Sequence, residues 1–276
     1  MMRRSHRCKT CGAEFFSRNK LFQHLRDEGH ADETVSAAPA PPLYEPSTRV
    51  FDFMKSCAGD DASPLPVIRI DLFNDGRAFV LRNMLTAAEC DSCIAMAQHM
   101  GMHSVQAHGY TQRVRVCDRL VAVSEQLSSR MFVRIAPFVV PVDLTTRTAR
   151  PRGVPIRAAN ALWRPHGLNE TFRTVKYDVG GHFSPHLDGG HVRSSTDRSL
   201  QTCMLYLNDD FEGGRTRFFD ESQEAYATPD PAKVVHTYVP RRGDALIFFS
   251  ELMHDGEALT AGRKWILRSE VMYDAA

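Results

Sequence analysis

The amino-acid sequence predicts an α+β protein: a jelly-roll body with helices packed outside it, preceded by a small head that folds around a metal. Three observations carry this expectation. Helical periodicity is confined to 86–135, whereas beyond Thr171 the chain breaks into short β-rich runs separated by glycine, proline and Asn-Asp turn signals. Many short strands after a helical start favour two packed sheets over an alternating parallel fold. Finally, four prolines among alanines and serines between Ala31 and Ser47 mark a stiff linker between the first thirty residues and a body of about 210. The totals fit a globular chain: 43% of the 276 residues are hydrophobic and 24% charged, which excludes a wholly disordered or collagen-like protein. The longest apolar stretch, 135–142, is broken by Pro137 and Pro141, far short of the roughly 20 residues of a membrane span.

In chain order, the head comes first. Cys8, Cys11, His24 and His30 stand at the spacing C-x2-C-x12-H-x5-H, two thiolates and two imidazoles suited to tetrahedral Zn(II). Residues 18–25 read as a helix with Ser17 as N-cap, and Leu21 with Phe15 or Phe16 can form a minimal core. Thirty residues cannot fold on apolar burial alone, and metal binding of about 10–16 kcal/mol supplies the deficit. The segment resembles the Cys2His2 zinc-finger family over residues 1–32. The net charge of +4 over residues 1–30 suits a nucleic-acid or a protein partner equally, because a single finger reads bases weakly.

After the linker, assigned to 33–66, the domain 67–276 opens with two helical segments. The first covers 86–100, with Cys90, Cys93, Ile94 and Ala97 at helical spacing and Thr86 with Glu89 as a capping box. The Cys90-x2-Cys93 pair on it has no matching pair downstream and reads as helix packing. The second helical segment is placed at 119–135. Strands are expected at 171–177, 200–207, 215–219, 234–239, 245–249 and 265–273. Residues 110–173 hold eleven arginines against four acids, a block that either neutralises acidic faces or attracts an anionic partner. Seven cysteines and an N-terminus without an apolar run point to a reducing compartment, cytoplasm or nucleus, with no membrane association.

The chemistry lies in the β-rich part. His186 and Asp188, two apart in an extended segment, project to one side and can share a metal. That pattern alone is weak, since His30-Ala31-Asp32 repeats it. Specificity comes from His254, 68 residues on and just after an apolar strand. Two histidines and one carboxylate leave three open positions, the facial triad of non-haem Fe(II) oxygenases. Ten residues later Lys264 offers a cation for the carboxylate of a bidentate cosubstrate.

With these residues, the stretches 168–177, 204–214 and 243–249 complete a set of motifs in order. The body resembles the 2-oxoglutarate- and Fe(II)-dependent dioxygenases, in their prolyl 4-hydroxylase-like branch, closely over 167–273 and loosely over 70–166. The resemblance implies a double-stranded β-helix with Fe(II) held by His186, Asp188 and His254. It also implies 2-oxoglutarate paired with Lys264 beside Tyr206 and Tyr177, with ascorbate as a further cofactor. The implied reaction hydroxylates a protein or peptide side chain, prolyl in this branch, and releases succinate and CO2. An AlkB-like nucleic-acid demethylase is the alternative within the same chemistry. That family carries two arginines six apart, whereas Arg263 and Arg268 here are five apart. A non-catalytic zinc-finger adaptor with a degenerate β-helix is the third reading, opposed by the intact His186, Asp188, His254 and Lys264. Asn169 and Arg173 match the family's strand without an assigned role, and His182, His191 and His236 read as surface or structural histidines.

Overall fold

A computed structural model describes residues 6–7, 11–15, 65–144 and 162–275. The chain divides into two compact units, Met1–Pro42 and Leu43–Ala276. In the first, strands β1 (His6–Arg7) and β2 (Glu14–Phe15) pair antiparallel, and the exposed Cys11 lies in the turn between them. Cys8, His24, His30, the expected finger helix and linker residues 33–64 lie outside the described residues.

The second unit opens with a hairpin, β3 (Ile68–Asp71) and β4 (Ala78–Arg82). Helix α1 (Ala87–Met100) starts where expected. Thr86 Oγ1 accepts from the Glu89 amide, and the Glu89 carboxylate accepts from the Thr86 amide. Cys90 and Cys93 are fully buried in the core beneath it. Strand β5 (His103–Ser104) and strand β6 (Arg115–Val116) follow. The span 119–135 corrects the sequence reading. Its first part is strand β7 (Asp118–Val123), and only Glu125–Ile135 forms helix α2, N-capped by the Ser124 hydroxyl. Leu120 and Ala122 alternate inward and pair with a later strand, so tertiary ladder bonding overrides the local helical pattern.

Short β8 (Val142–Asp143), β9 (Leu162–Leu168), β10 (Thr171–Tyr177) and β11 (His182–His186) come next. They are followed by β12 (Asp197–Tyr206), β13 (Phe211–Gly213), β14 (Thr216–Phe219) and β15 (Val234–Tyr238). The last four are β16 (Ala245–Phe249), β17 (His254–Gly256), β18 (Leu259–Gly262) and β19 (Lys264–Ala275). All pairings among the described strands are antiparallel. The major sheet runs β3-β4-β16-β12-β19-β10-β7-β5, with β9 also on β19 and β8 on β9. The minor sheet runs β15-β14-β17-β11-β6. This is a mostly antiparallel jelly roll with few helices.

Strand alternation explains the layering. On β16, Ala245, Ile247 and Phe249 join the core under the helices, while Leu246 and Phe248 join the core between the sheets. On β19, Trp265, Leu267, Val271 and Tyr273 face the helices. Lys264, Ile266, Arg268 and Glu270 therefore occupy the opposite face, toward the minor sheet. The helices are clamped to this frame by Arg134 of α2, which donates to both Glu89 oxygens (2.9 and 2.6 Å) and to the Met84 carbonyl. No helix among the described residues is long and apolar enough to cross a membrane.

Candidate active site

Antiparallel register builds the centre of the site. His186 at the end of β11 lies directly opposite His254 on β17, so their rings stand 4.2 Å apart between centroids. Both are buried. Each Nδ1 lies at hydrogen-bond distance from the carbonyl two residues before it, 2.8 Å for Ser184 and 2.9 Å for Leu252. With Nδ1–H donating there, each Nε2 lone pair is left for a metal. The two Nε2 atoms point at Asp188, 3.5 Å from Oδ1 and 3.6 Å from Oδ2. One donor atom from each of the three residues lies within 4.8 Å of the others. Metal–ligand bonds of about 2.1 Å at right angles have donor edges of about 3 Å, so this set fits a divalent transition ion.

Electrostatics set the protonation states that a metal requires. Burial raises the Asp188 pKa, but Arg268 and the two histidines outweigh it and hold the carboxyl well below the usual range. Burial, with the neighbouring His186, pushes His254 down to about 3, so its imidazole is neutral near pH 7. Phe183 stacks on His186 and Phe248 packs edge-on to His254, walling the site from water.

Lys264 enters the same pocket from the start of β19, opposite Tyr177 on β10. It is 4% exposed, and its ammonium donates to the Gly214 carbonyl. A side chain at Gly214 would meet Leu259 at 2.7 Å and the Lys264 stem at 3.3 Å, and its φ is +61°, so glycine lets the backbone approach the lysine. Burial lowers the lysine pKa to about 7 against the pull of Asp255 and Glu257. Its Nζ lies 5.4 Å from the Tyr206 ring and 5.8 Å from the Tyr177 ring. The Tyr206 hydroxyl is 2.8 Å from Thr216 Oγ1, and burial pushes the Tyr177 hydroxyl up to about 12.

The structure thus gathers His186, Asp188, His254, Lys264, Tyr177 and Tyr206 in one region. Cys8, His24 and His30 lie outside the described residues, and Cys11 is exposed in its turn. Sequence reasoning missed Thr202, whose hydroxyl donates to Asp188 Oδ2 at 2.6 Å, and Arg268, whose Nη2 lies 3.0 Å from Asp188 Oδ1. It also missed Arg115, a buried cation over the Phe183 ring. Even-numbered spacing from Lys264 along β19 was the available signal for Arg268. Asn169 and Arg173, unassigned from sequence, both hold the buried Glu270, at 2.8 and 2.7 Å. Of the three histidines set aside, His236 packs against Phe73 on the minor sheet and His182 lies near the Gly180 carbonyl.

Residues 172–269 of this chain match the family model of the 2OG-Fe(II) oxygenase superfamily. Homologues of the chain include prolyl 4-hydroxylases of Arabidopsis thaliana. Probable prolyl 4-hydroxylase 11 is 28% identical over 186 residues, covering 63% of this chain and 56% of its own length. Prolyl 4-hydroxylase 2 is 25% identical over 211 residues, covering 68% and 64%. The chain therefore spans less than two thirds of the length of these relatives. Among solved structures, a Trichoplax adhaerens prolyl hydroxylase in complex with a hypoxia inducible factor peptide fragment aligns with a TM-score of 0.47 and 14% identity, over 83% of this chain and 94% of that one. The 2OG complex of a viral collagen prolyl hydroxylase from Paramecium Bursaria Chlorella virus-1 aligns with a TM-score of 0.43 and 18% identity, over 72% and 96%.

Proposed function

We propose that this protein is an Fe(II)- and 2-oxoglutarate-dependent dioxygenase that hydroxylates a protein or peptide side chain, prolyl in the first instance, with release of succinate and CO2. The convergence of His186 Nε2, His254 Nε2 and the Asp188 carboxylate carries the reading. Fe(II) bound there with 2-oxoglutarate would supply the oxidation of an unactivated C–H bond. The residues of the chain do the rest. His186, the neutral His254 and the ionised Asp188 would hold the ion together. Lys264, deep in the pocket and without a carboxylate at ion-pair distance among the described residues, awaits the distal carboxylate of the cosubstrate. Tyr206 and Tyr177 flank it, and Phe183 excludes water from the metal side.

Arg263 supports the lysine-based arrangement over the AlkB-like one. Its guanidinium pairs with Asp178 at the surface, 2.7 Å away, while Lys264 turns inward. The prolyl 4-hydroxylase homologues favour a peptide substrate. The head, as a Cys2His2 zinc site of Cys8, Cys11, His24 and His30, would recruit a protein or nucleic acid to the oxygenase; the exposed Cys11 in its hairpin turn suits a ligand position.

The test is succinate formation from 2-oxoglutarate with Fe(II), ascorbate and proline-containing peptides. Products are read by mass spectrometry for a gain of one oxygen. Absence of succinate with every peptide, together with absence of metal binding, refutes the reading. Demethylation of an oligonucleotide without peptide turnover moves it to the nucleic-acid class.

A further inference from the structure

Arg268 is a charged group of the pocket that neither the triad nor the lysine explains. It sits four residues beyond Lys264 on the same face of β19, 15% exposed in its side chain. Its Nη2 lies between two carboxylates, 3.0 Å from Asp188 Oδ1 and 3.5 Å from Glu270 Oε1. Nε and Nη2 are buried without a hydrogen bond of good geometry, so the contacts of Nη2 with Asp188 Oδ1 and Glu270 Oε1 are ion pairs at fixed positions. Glu270 is fixed in turn. Arg173, cross-strand from Arg268, donates to its Oε1, and Asn169 donates to its Oε2. Asp188 Oδ2 is meanwhile held by Thr202. The carboxylate of the triad is therefore gripped on both oxygens.

We propose that Arg268 is a positioning residue for the metal site: it fixes the rotation of the Asp188 carboxylate, and the Glu270–Arg173–Asn169 cluster fixes Arg268. The proposal rests on the reading of His186, Asp188 and His254 as an Fe(II) site. Two effects of the guanidinium oppose each other. Its charge repels a divalent ion, but Asp188, Arg268, Glu270 and Arg173 alternate in sign and cancel as a group, which leaves that repulsion small. Its contact with Oδ1 limits the carboxylate to one orientation, and outer-shell partners of this kind are worth roughly 10–100-fold in metal affinity or activity. Orientation is the larger effect.

The experiment is a Co(II) titration of the full-length protein, following affinity and the visible d–d absorption in wild type, Arg268→Gln and Arg268→Lys, with His186→Ala as the baseline. Arg268→Gln is expected to weaken Co(II) binding roughly 10–100-fold and to shift the absorption bands. Arg268→Lys is expected to recover part of the affinity but not the band positions, because an ammonium on a different stem does not place its charge where Nη2 does. If Arg268→Gln does not fold, the bands of Arg268→Lys decide. Wild-type affinity and bands in whichever variant folds overturn the proposal. A wild-type protein indistinguishable from His186→Ala overturns the iron-site reading itself, and the proposal with it.

Discussion

Replacing Lys264 with methionine should make the protein more stable in the absence of cosubstrate and unable to hold 2-oxoglutarate. In the folded state burial lowers the lysine to about 7, against an ordinary value of 10.5. At 1.36 kcal/mol per pKa unit, holding this side chain at pH 7 costs about 4 kcal/mol relative to the unfolded chain. Methionine, of similar length, fits beside Tyr177, Tyr206 and Phe211 without that cost. It leaves the Gly214 carbonyl without its donor, an opposing loss of about 1–3 kcal/mol. The net gain of roughly 1–3 kcal/mol corresponds to a rise of several degrees in Tm for a unit of this size. Because the unfolded chain binds the proton more tightly, the lysine's contribution to stability rises with pH between about 7 and 10.5. Wild type should gain about 2 kcal/mol from this group between pH 7 and pH 9, a slope absent from Lys264→Met. Thermal unfolding followed by circular dichroism at both pH values, with and without Co(II) and 2-oxoglutarate, reads all of this. Wild type gains about 2.7 kcal/mol at a ligand concentration one hundred times Kd, and the variant gains nothing from 2-oxoglutarate. A variant that melts lower at pH 7, or that 2-oxoglutarate still stabilises, would refute the role assigned to the lysine.

Further expectations concern other parts of the molecule. His186→Ala should abolish both Co(II) binding at the triad and succinate formation, and a variant with wild-type turnover would remove His186 from the metal shell. Arg134→Ala strips buried Glu89 of its cation and the Met84 carbonyl of a donor, for a loss of about 1–3 kcal/mol in urea unfolding; an unchanged midpoint would count against the clamp. Chelation of zinc should unfold the head and leave turnover of short peptides unaltered, and one zinc per chain by elemental mass spectrometry is the first check.

What was legible in the sequence was what depends on near neighbours. The capping box of Thr86 and Glu89 is a contact three residues long, and helix α1 begins where it says. Strands β10 and β16 coincide with the expected 171–177 and 245–249, because turn residues bound them on both sides. The misread segment, 119–135, fails where the decision is non-local. Nothing near Leu120 says that it will pair with Thr174, and the change from strand to helix turns on the single N-cap Ser124. Strand β9 was missed because Pro165 and Gly167 argue against a strand. It is tolerated with the local register shift against β19 between Met272 and Tyr273.

The candidate site divides along the same line. His186, Asp188, His254 and Lys264 were named from spacing, since metal donors at i and i+2, and a cation after the last histidine, are statements about one strand at a time. Thr202 and Glu270 could not be, and for Arg268 the even spacing from Lys264 gives its face of the strand but not its partner. An arginine or glutamate within a strand reads as a solvated face until the other face is known. Here the other face of β19 is Trp265, Leu267, Val271 and Tyr273, all buried under the helices, and the charged face is itself covered by the minor sheet. A strand buried on both sides carries charges at a cost of several kcal/mol per unpaired ion, so each charge on it must have a partner across the interior. Glu270 has Arg173 and Asn169, and Arg268 has Asp188 and Glu270. Lys264 has only a backbone carbonyl and the more distant pull of Asp255 and Glu257. Of the three charges on this face it alone lacks an ionic partner at contact distance among the described residues. That imbalance is the physical reason to place an external carboxylate beside it.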